Sequence, residues 1–133
     1  MANAIYPIYK AALLAGLSNI DLDTGTVKAA LIDTGTYTYS TAHDFYNDLS
    51  GVVGTPGAIA NTTVTGGLFD GDNVTFTAVS GATVEAIVIY IDTGNTATSR
   101  LVAYIDTGVT GLPVTPNGGD ITITWNASGI FQL

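Results

Sequence analysis

The tripeptide Asp-Thr-Gly occurs four times in this chain, beginning at Asp23, Asp33, Asp92 and Asp106. Carboxylates held at strand ends could do hydrolytic chemistry, because two that face each other and share one proton can act as acid and base. The same tripeptide also suits a turn, since Asp accepts a hydrogen bond from the backbone two residues on and Gly adopts positive φ. The motif therefore has a catalytic and a structural interpretation.

The number and context of the motifs favour the structural interpretation. An aspartic protease needs two such carboxylates, or one from each subunit of a dimer, whereas three of these four copies directly follow apolar runs. That family also places Ser or Ala after the Gly, where this chain has Thr, Thr, Asn and Val. We therefore predict no catalytic residue and keep an aspartic protease as a remote alternative. The predicted strand-ending turns are Asp33 with Gly35, Asp92 with Gly94, and Asp106 with Gly108.

His43 is the single histidine of the chain. With Asp44 or Asp48 it could form part of a Ser-His-Asp arrangement. No serine lies in a nucleophile-elbow motif, however, so a surface or helix-end histidine is the favoured interpretation.

Two polar segments could bind ions. Residues 70–73, Asp-Gly-Asp-Asn, offer calcium two carboxylates and an amide, but no Glu follows at the spacing of a calcium loop. Residues 117–120, Asn-Gly-Gly-Asp, contain no Lys and follow no strand–helix unit, unlike a phosphate-binding loop. We predict that both segments are turns, and we expect no metal and no cofactor.

Tyr37 and Tyr39 alternate with Thr36 and Thr38. They could present an exposed ladder to a sugar or to another protein. Cross-strand packing within the domain is the favoured alternative.

The composition excludes several classes of partner. Only 11% of the 133 residues are charged and 47% are hydrophobic, which suits a protein packed against neighbours. The net charge is −8, and the cations are Lys10, Lys28 and Arg100. Three scattered cations cannot form a phosphate-binding surface, so we expect neither nucleic-acid nor membrane binding. The chain has no cysteine, and its first residues do not have the pattern of a secretory signal.

The hydrophobic pattern predicts one all-β domain over residues 1–133 with an N-terminal arm at 1–17. Pro7 and Gly16 suit the two ends of a short helix, whose apolar stripe could cover the domain or dock on a partner. Seven or eight short strands follow, separated by turn residues; the strongest spans residues 84–92 and another spans 58–65. The pattern favours an antiparallel β-sandwich, and we expect it to be jelly-roll-like.

Several segments, taken together, resemble small virion proteins of tailed bacteriophages. One of these segments is Gly-Thr-Val-Lys-Ala-Ala-Leu-Ile-Asp-Thr-Gly, at residues 25–35. The resemblance covers most of the chain, and it is carried by residues 6–10, 25–35, 42–45, 74–81, 99–108 and 112–120.

The resemblance implies a capsid decoration or cement protein, made in the host cytoplasm and carried on the outer capsid surface. Its implied partners are the major capsid protein and further copies of itself, as a dimer or trimer on the shell. A tail, fibre or host-binding module of the virion is the alternative. No catalytic residue follows from the resemblance. We predict that the peripheral apolar residues form the partner interface: Ile5, Tyr6, Tyr9, Leu13, Leu17, Phe131 and Leu133.

Overall fold

The computed structural model describes residues 3–133; Met1 and Ala2 of the predicted N-terminal arm lie outside the described residues. Within the described part are ten β-strands, one α-helix and one 3-10 helix at Tyr46–Asp48. The elements are β1 (Ala4–Ile5), α1 (Pro7–Ala15), β2 (Val27–Ile32), β3 (Val52–Ala58), β4 (Thr63–Thr65), β5 (Leu68–Asp70), β6 (Val74–Phe76), β7 (Ala86–Ile91), β8 (Arg100–Ile105), β9 (Ile121–Ile123) and β10 (Phe131–Gln132).

All strand pairs within the three sheets are antiparallel. The largest sheet has the order β1-β8-β7-β2-β3, a second has the order β10-β5-β4, and β6 pairs with β9. The protein is therefore all-β and sandwich-like with a short helix near its N-terminus, which confirms the predicted fold class. The division into five, three and two strands differs from the two equal sheets of a simple jelly roll.

The five-stranded sheet contains the centre of the hydrophobic core. Every residue of β7 and β8 is buried, which explains their nearly continuous apolar sequences. One face of this sheet packs on β6. A Cβ atom at Gly57 would lie 2.6 Å from Val74 Cγ1 and 3.3 Å from the ring of Phe76, so glycine is required at this close approach.

The opposite face is covered by the irregular connection between β2 and β3. Val88 pairs with Tyr104 and Lys28 pairs with Tyr90, which places both tyrosines on the face opposite Gly57. Tyr37 packs 6.5 Å from Tyr104 between ring centroids, and Tyr46 packs 4.7 Å from Tyr90. Aromatic side chains from a loop thus complete the core where a second sheet layer would otherwise lie.

The helix α1 begins and ends as its sequence predicts. Pro7 occupies the first turn, where its missing N–H is not needed, and Gly16 adopts a left-handed φ of 62°. The N–H of Leu17 then donates to the carbonyl of Ala12 and closes the last turn. Within residues 3–133, no helix has both the length and the apolar character needed to cross a membrane.

The largest difference from the predicted elements lies between residues 52 and 65. A single strand was predicted over 58–65, but β3 ends at Ala58 and β4 begins at Thr63. Asn61 has a φ of 53° and belongs to the turn between them. The strand β3 contains Gly54, Pro56 and Gly57, which are poor strand formers, so its existence depends on pairing with β2 rather than on its own propensity.

Candidate functional site

The three Asp-Thr-Gly copies that follow apolar runs lie directly after β2, β7 and β8. Asp33 accepts hydrogen bonds from the N–H of Gly35 at 2.9 Å and from the hydroxyl of Thr36 at 2.9 Å. Asp92 accepts from the N–H of Gly94 at 2.9 Å. Both carboxylates therefore hold the turn in which they lie, as the structural interpretation requires.

The third copy, at Asp106, forms a turn that is hydrogen-bonded to a side chain outside the motif. The N–H groups of Asp106 and Thr107 both donate to the side-chain oxygen of Asn3, at 2.7 and 3.0 Å. The carbonyl of Thr107 accepts a return bond from the Asn3 amide at 2.9 Å. A side chain that directly precedes the neighbouring strand β1 thus fixes the turn after β8, a contact that no local sequence pattern indicates.

His43 is half-buried, and its Nδ1 lies 2.7 Å from the hydroxyl of Tyr37. The hydroxyl of Tyr37 is in turn 2.8 Å from that of Tyr6. Asp48 accepts from the N–H of Asp44, and the pKa of Asp48 is lowered mainly by that bond. The pKa of Asp44 is raised, first by desolvation and then by the neighbouring Asp48. The imidazole therefore connects the loop to buried tyrosines. Within residues 3–133 its hydrogen-bond partner is Tyr37 and not a serine hydroxyl, and the one bond from His43 to a serine runs from its backbone N–H to the carbonyl of Ser40.

The polar groups of the segment 70–73 take part in local structure. Asp70 accepts from the N–H of Gly71, and Asp72 accepts from the amide of Asn61 at 2.6 Å. Asn73 accepts from the N–H of Trp125 at 3.1 Å. Among residues 3–133, no three His, Asp or Glu side chains are grouped so that they could hold a metal ion.

The segment 117–120 forms a turn that is hydrogen-bonded to Ala78 and Val79, just beyond the end of β6. Asn117 accepts from the N–H of Gly119, and Asp120 accepts from the N–H of Ala78 at 3.0 Å. Gly118 and Gly119 exchange backbone hydrogen bonds with Val79. The glycines of this segment therefore serve the turn geometry.

Some of the predicted interface residues are buried in the structure and others are exposed. Tyr6 and Tyr9 are 0% and 1% exposed, so the interface prediction does not hold for these two side chains. The physical reason is that their rings complete the domain's own core: Tyr6 packs against Tyr39, and the Tyr9 hydroxyl donates to the carbonyl of Ile20 at 2.9 Å. Burial also raises the pKa of Tyr9 to about 12. The helix stripe therefore covers the domain on its Tyr6 and Tyr9 side.

The other side of α1 remains open to a partner. Leu14 on the helix is 92% exposed, and Leu17 just beyond its end is 51% exposed. Leu13 is half-buried and lines a groove of about 500 Å³ that the C-terminal residue Leu133 also lines. We call this groove the helix–tail groove; its apolar lining is Tyr9, Leu13, Ile20, Leu22, Val64 and Leu133, and its acidic rim is Asp21 and Asp23.

The two walls of the helix–tail groove are fixed by different elements. The tail pairs with β5, and the N–H of Leu133 donates to the carbonyl of Gly67 at 2.9 Å. On the other wall, the carboxylate of Asp21 accepts from the N–H groups of Asp23 and Thr24 and from the Thr24 hydroxyl. These bonds, led by the one from the Thr24 hydroxyl, hold the pKa of Asp21 below its usual value. The groove is thus preformed, apolar inside and acidic at one rim.

Ile5 and Phe131 lie elsewhere. Both line a smaller cavity of about 160 Å³ between β1 and β10, together with Tyr104 and Gln132. Phe131 also packs on Phe69, with 5.2 Å between ring centroids. Sequence reasoning missed Val64, which is 49% exposed on β4 and joins the helix–tail groove. The signal in the sequence was an apolar residue, Val64, between two threonines.

Comparisons with known proteins add no relative. No family model matches the chain, and a search of curated proteins also found no match.

Proposed function

We propose that the protein is a non-enzymatic structural component of a bacteriophage virion, which decorates the outer capsid surface and cements major capsid subunits. The observation that carries this proposal is the exposed apolar surface made by α1 and the C-terminal tail. Leu14, Leu17, Val64 and Leu133 are each about half or more exposed. Val64 and Leu133 lie together in the helix–tail groove, and adjoining exposed apolar side chains support a binding site better than single ones, which are common.

The energetics of such a surface suit a shell. Covering one large apolar side chain contributes roughly 1.5–3 kcal/mol, so a small patch alone gives modest affinity. A symmetric shell repeats the same contact at many equivalent places, and linked contacts gain avidity without a stronger single site. A cement protein therefore needs a rigid scaffold and a small apolar surface, which this chain provides.

The charge distribution supports a partner other than the protein itself as the occupant of the helix–tail groove. The chain has a net charge of −8, and the groove has Asp21 and Asp23 at its rim. Two copies that approached through this rim would repel each other. We propose that a capsid subunit fills the groove. Self-association as a dimer or trimer on the shell would use other surfaces of the domain.

The proposal is tested by an electron cryomicroscopy reconstruction of the particles encoded by the same genome as this chain. We expect density for the β-sandwich on the outer face of the head, with α1 and the C-terminal tail of the protein against capsid subunits. Density on the tail of the phage particle alone would overturn the proposal in favour of the host-binding alternative. Absence from the particle would overturn both virion roles.

A binding measurement with heads that lack the protein tests the surface itself. The double variant Leu14→Ser with Leu17→Ser removes exposed apolar area without touching the core, so we expect at least a roughly tenfold loss of binding to heads. Ala11→Ser is the matched control, because Ala11 is an exposed residue of the same helix. Equal binding by both variants would contradict the role of α1.

A further inference from the structure

A further concave site lies beside the end of β7, and it shares no lining residue with the helix–tail groove. Its volume is about 250 Å³. We call it the tyrosine cleft; the residues that matter for its chemistry are Tyr46, Tyr90, Asp92, Asn95, Thr96 and Ser99. Its volume is below the roughly 300–1,000 Å³ of sites for drug-sized ligands, so it suits one small ring.

The wall of the tyrosine cleft is rigid because the connection between β7 and β8 is bonded to itself. The hydroxyl of Ser99 donates to the carbonyl of Asn95 at 2.8 Å and accepts from the N–H of Thr93 at 3.0 Å. The N–H of Ala97 donates to the side-chain oxygen of Asn95 at 2.9 Å. The 3-10 helix is tied to the same loop, since the N–H of Tyr46 donates to the carbonyl of Ser99 at 2.8 Å. A ligand would therefore meet a preformed site and pay little ordering entropy.

Tyr90 supplies the observation that points to a ligand. Its side chain is 5% exposed and lines the cleft, yet its hydroxyl makes no hydrogen bond to any residue within 3–133. The hydroxyls of Tyr6 and Tyr9 have partners within the fold, whereas the Tyr90 hydroxyl has none within residues 3–133 and is not fully enclosed. The hydroxyl of Tyr90 is thus a hydrogen-bonding group that the fold itself leaves to the contents of the cleft.

The charges around the cleft narrow the class of ligand. Lys28 Nζ lies 2.7 Å from a carboxylate oxygen of Asp92, so the one carboxylate of the cleft is already paired. A cation would have to displace Lys28, and an anion would be repelled by the net charge of −8. An uncharged ligand rich in hydroxyl groups has neither disadvantage.

We propose that the tyrosine cleft binds a single uncharged sugar residue. The half-buried ring of Tyr46, which packs 4.7 Å from that of Tyr90 between centroids, offers apolar surface to the C–H groups of a pyranose. The Tyr90 hydroxyl and the free N–H groups of the Asn95 amide donate to its hydroxyl oxygens, and Asp92 accepts from its hydroxyl groups. The site is independent of any role of the helix–tail groove on a capsid.

The test is a titration of the isotopically labelled, isolated protein followed by amide chemical shifts. The probes are the methyl glycosides of glucose, galactose and N-acetylglucosamine, added separately to high millimolar concentrations. We expect saturable shifts at residues 92–99 with at least one probe. Absence of saturable shifts there with all three probes, or saturable shifts only at other residues, would overturn the proposal.

Two conservative variants separate a binding role of the hydroxyl from a structural one. Tyr90→Phe removes only the hydroxyl, and we expect it to weaken probe binding roughly tenfold. Tyr104→Phe is the matched control, because Tyr104 is also buried in the same sheet and its hydroxyl also lacks a hydrogen bond within residues 3–133. Unchanged binding in Tyr90→Phe, or equal losses in both variants, would refute the proposed site.

Discussion

Two groups of tyrosines cover the same face of the five-stranded sheet, and they use their hydroxyl groups differently. Tyr6, Tyr37 and His43 form a hydrogen-bonded chain with distances of 2.8 and 2.7 Å. Tyr46 and Tyr90 also contact each other, but neither hydroxyl is hydrogen-bonded within residues 3–133. The same residue type therefore completes a core in one place and faces a cleft in the other. Hydrogen-bond partners, rather than residue type, distinguish the two uses.

The largest expected effect on stability comes from a change in the hydrogen-bonded series Tyr6–Tyr37–His43. Tyr6→Ala would remove a fully buried ring and its hydrogen bond, and we expect it to lower the free energy of unfolding by about 3–5 kcal/mol. Chemical denaturation measures this loss. Tyr46→Ala, at a half-buried ring of the other group, should cost clearly less. Equal losses would remove the difference between the two groups.

Removing only the hydroxyl makes the comparison sharper. Tyr6→Phe leaves the ring in place but takes a partner from the Tyr37 hydroxyl, so we expect a loss of about 1 kcal/mol in the free energy of unfolding. A shift of the denaturation midpoint, with an unchanged dependence of the unfolding free energy on denaturant concentration, measures this loss. Wild-type stability in Tyr6→Phe would show that the hydrogen-bonded chain does not stabilise the fold.

The ion pair beside the tyrosine cleft gives a smaller and pH-dependent effect. Lys28 and the backbone of the turn hold the pKa of Asp92 below its usual value, Lys28 contributing most. Because the folded-state pKa is lowered, the stabilisation is present above the unfolded value of about 3.9 and is lost as the pH falls through the folded-state pKa.

We therefore expect Asp92→Asn to lower the free energy of unfolding by about 0.2–1 kcal/mol at neutral pH, as for partly exposed pairs. The variant and the wild type should converge in acid. Denaturation curves at several pH values check this. A difference that is constant with pH would assign the effect to the turn rather than to the charge.

The smallest expected effect on stability is at Tyr90. Tyr90→Phe removes a hydroxyl with no partner within residues 3–133, so we expect its free energy of unfolding to stay within about 0.5 kcal/mol of the wild type. Thermal unfolding measures the difference. A loss as large as that of Tyr6→Phe would show that the hydroxyl serves the fold, which would end the contrast between the two groups.

Much of the fold could be predicted because local patterns and global packing agree. The apolar runs before Asp33, Asp92 and Asp106 are strands, and the Pro7 and Gly16 signals bound the helix. The strand β3 could not be predicted, because its glycines and proline are poor strand formers and Gly57 is explained only by the approach of β6.

The candidate sites were harder to predict because their residues come from distant parts of the chain. The apolar stripe of α1 indicated an interface but not which side of the helix is buried; Tyr9 is 1% exposed while Leu14 is 92% exposed. Tyr37 packs on Tyr104 as an aromatic core contact, but from a loop rather than from a strand. The tyrosine cleft had one local signal, the polar aromatic Tyr90 in an otherwise aliphatic strand.

The pairing of β1 with β8 has a consequence for the order of events during synthesis. Asn3 and Thr107, whose side chain and backbone are hydrogen-bonded, are 104 positions apart. The edge strand therefore cannot close until most of the chain has left the ribosome, and such distant pairings fold slowly. Until then the rings of Tyr6 and Tyr9 lack their places in the core. The nascent chain thus exposes these aromatic rings until β8 has been synthesised, and transiently exposed apolar surface promotes aggregation.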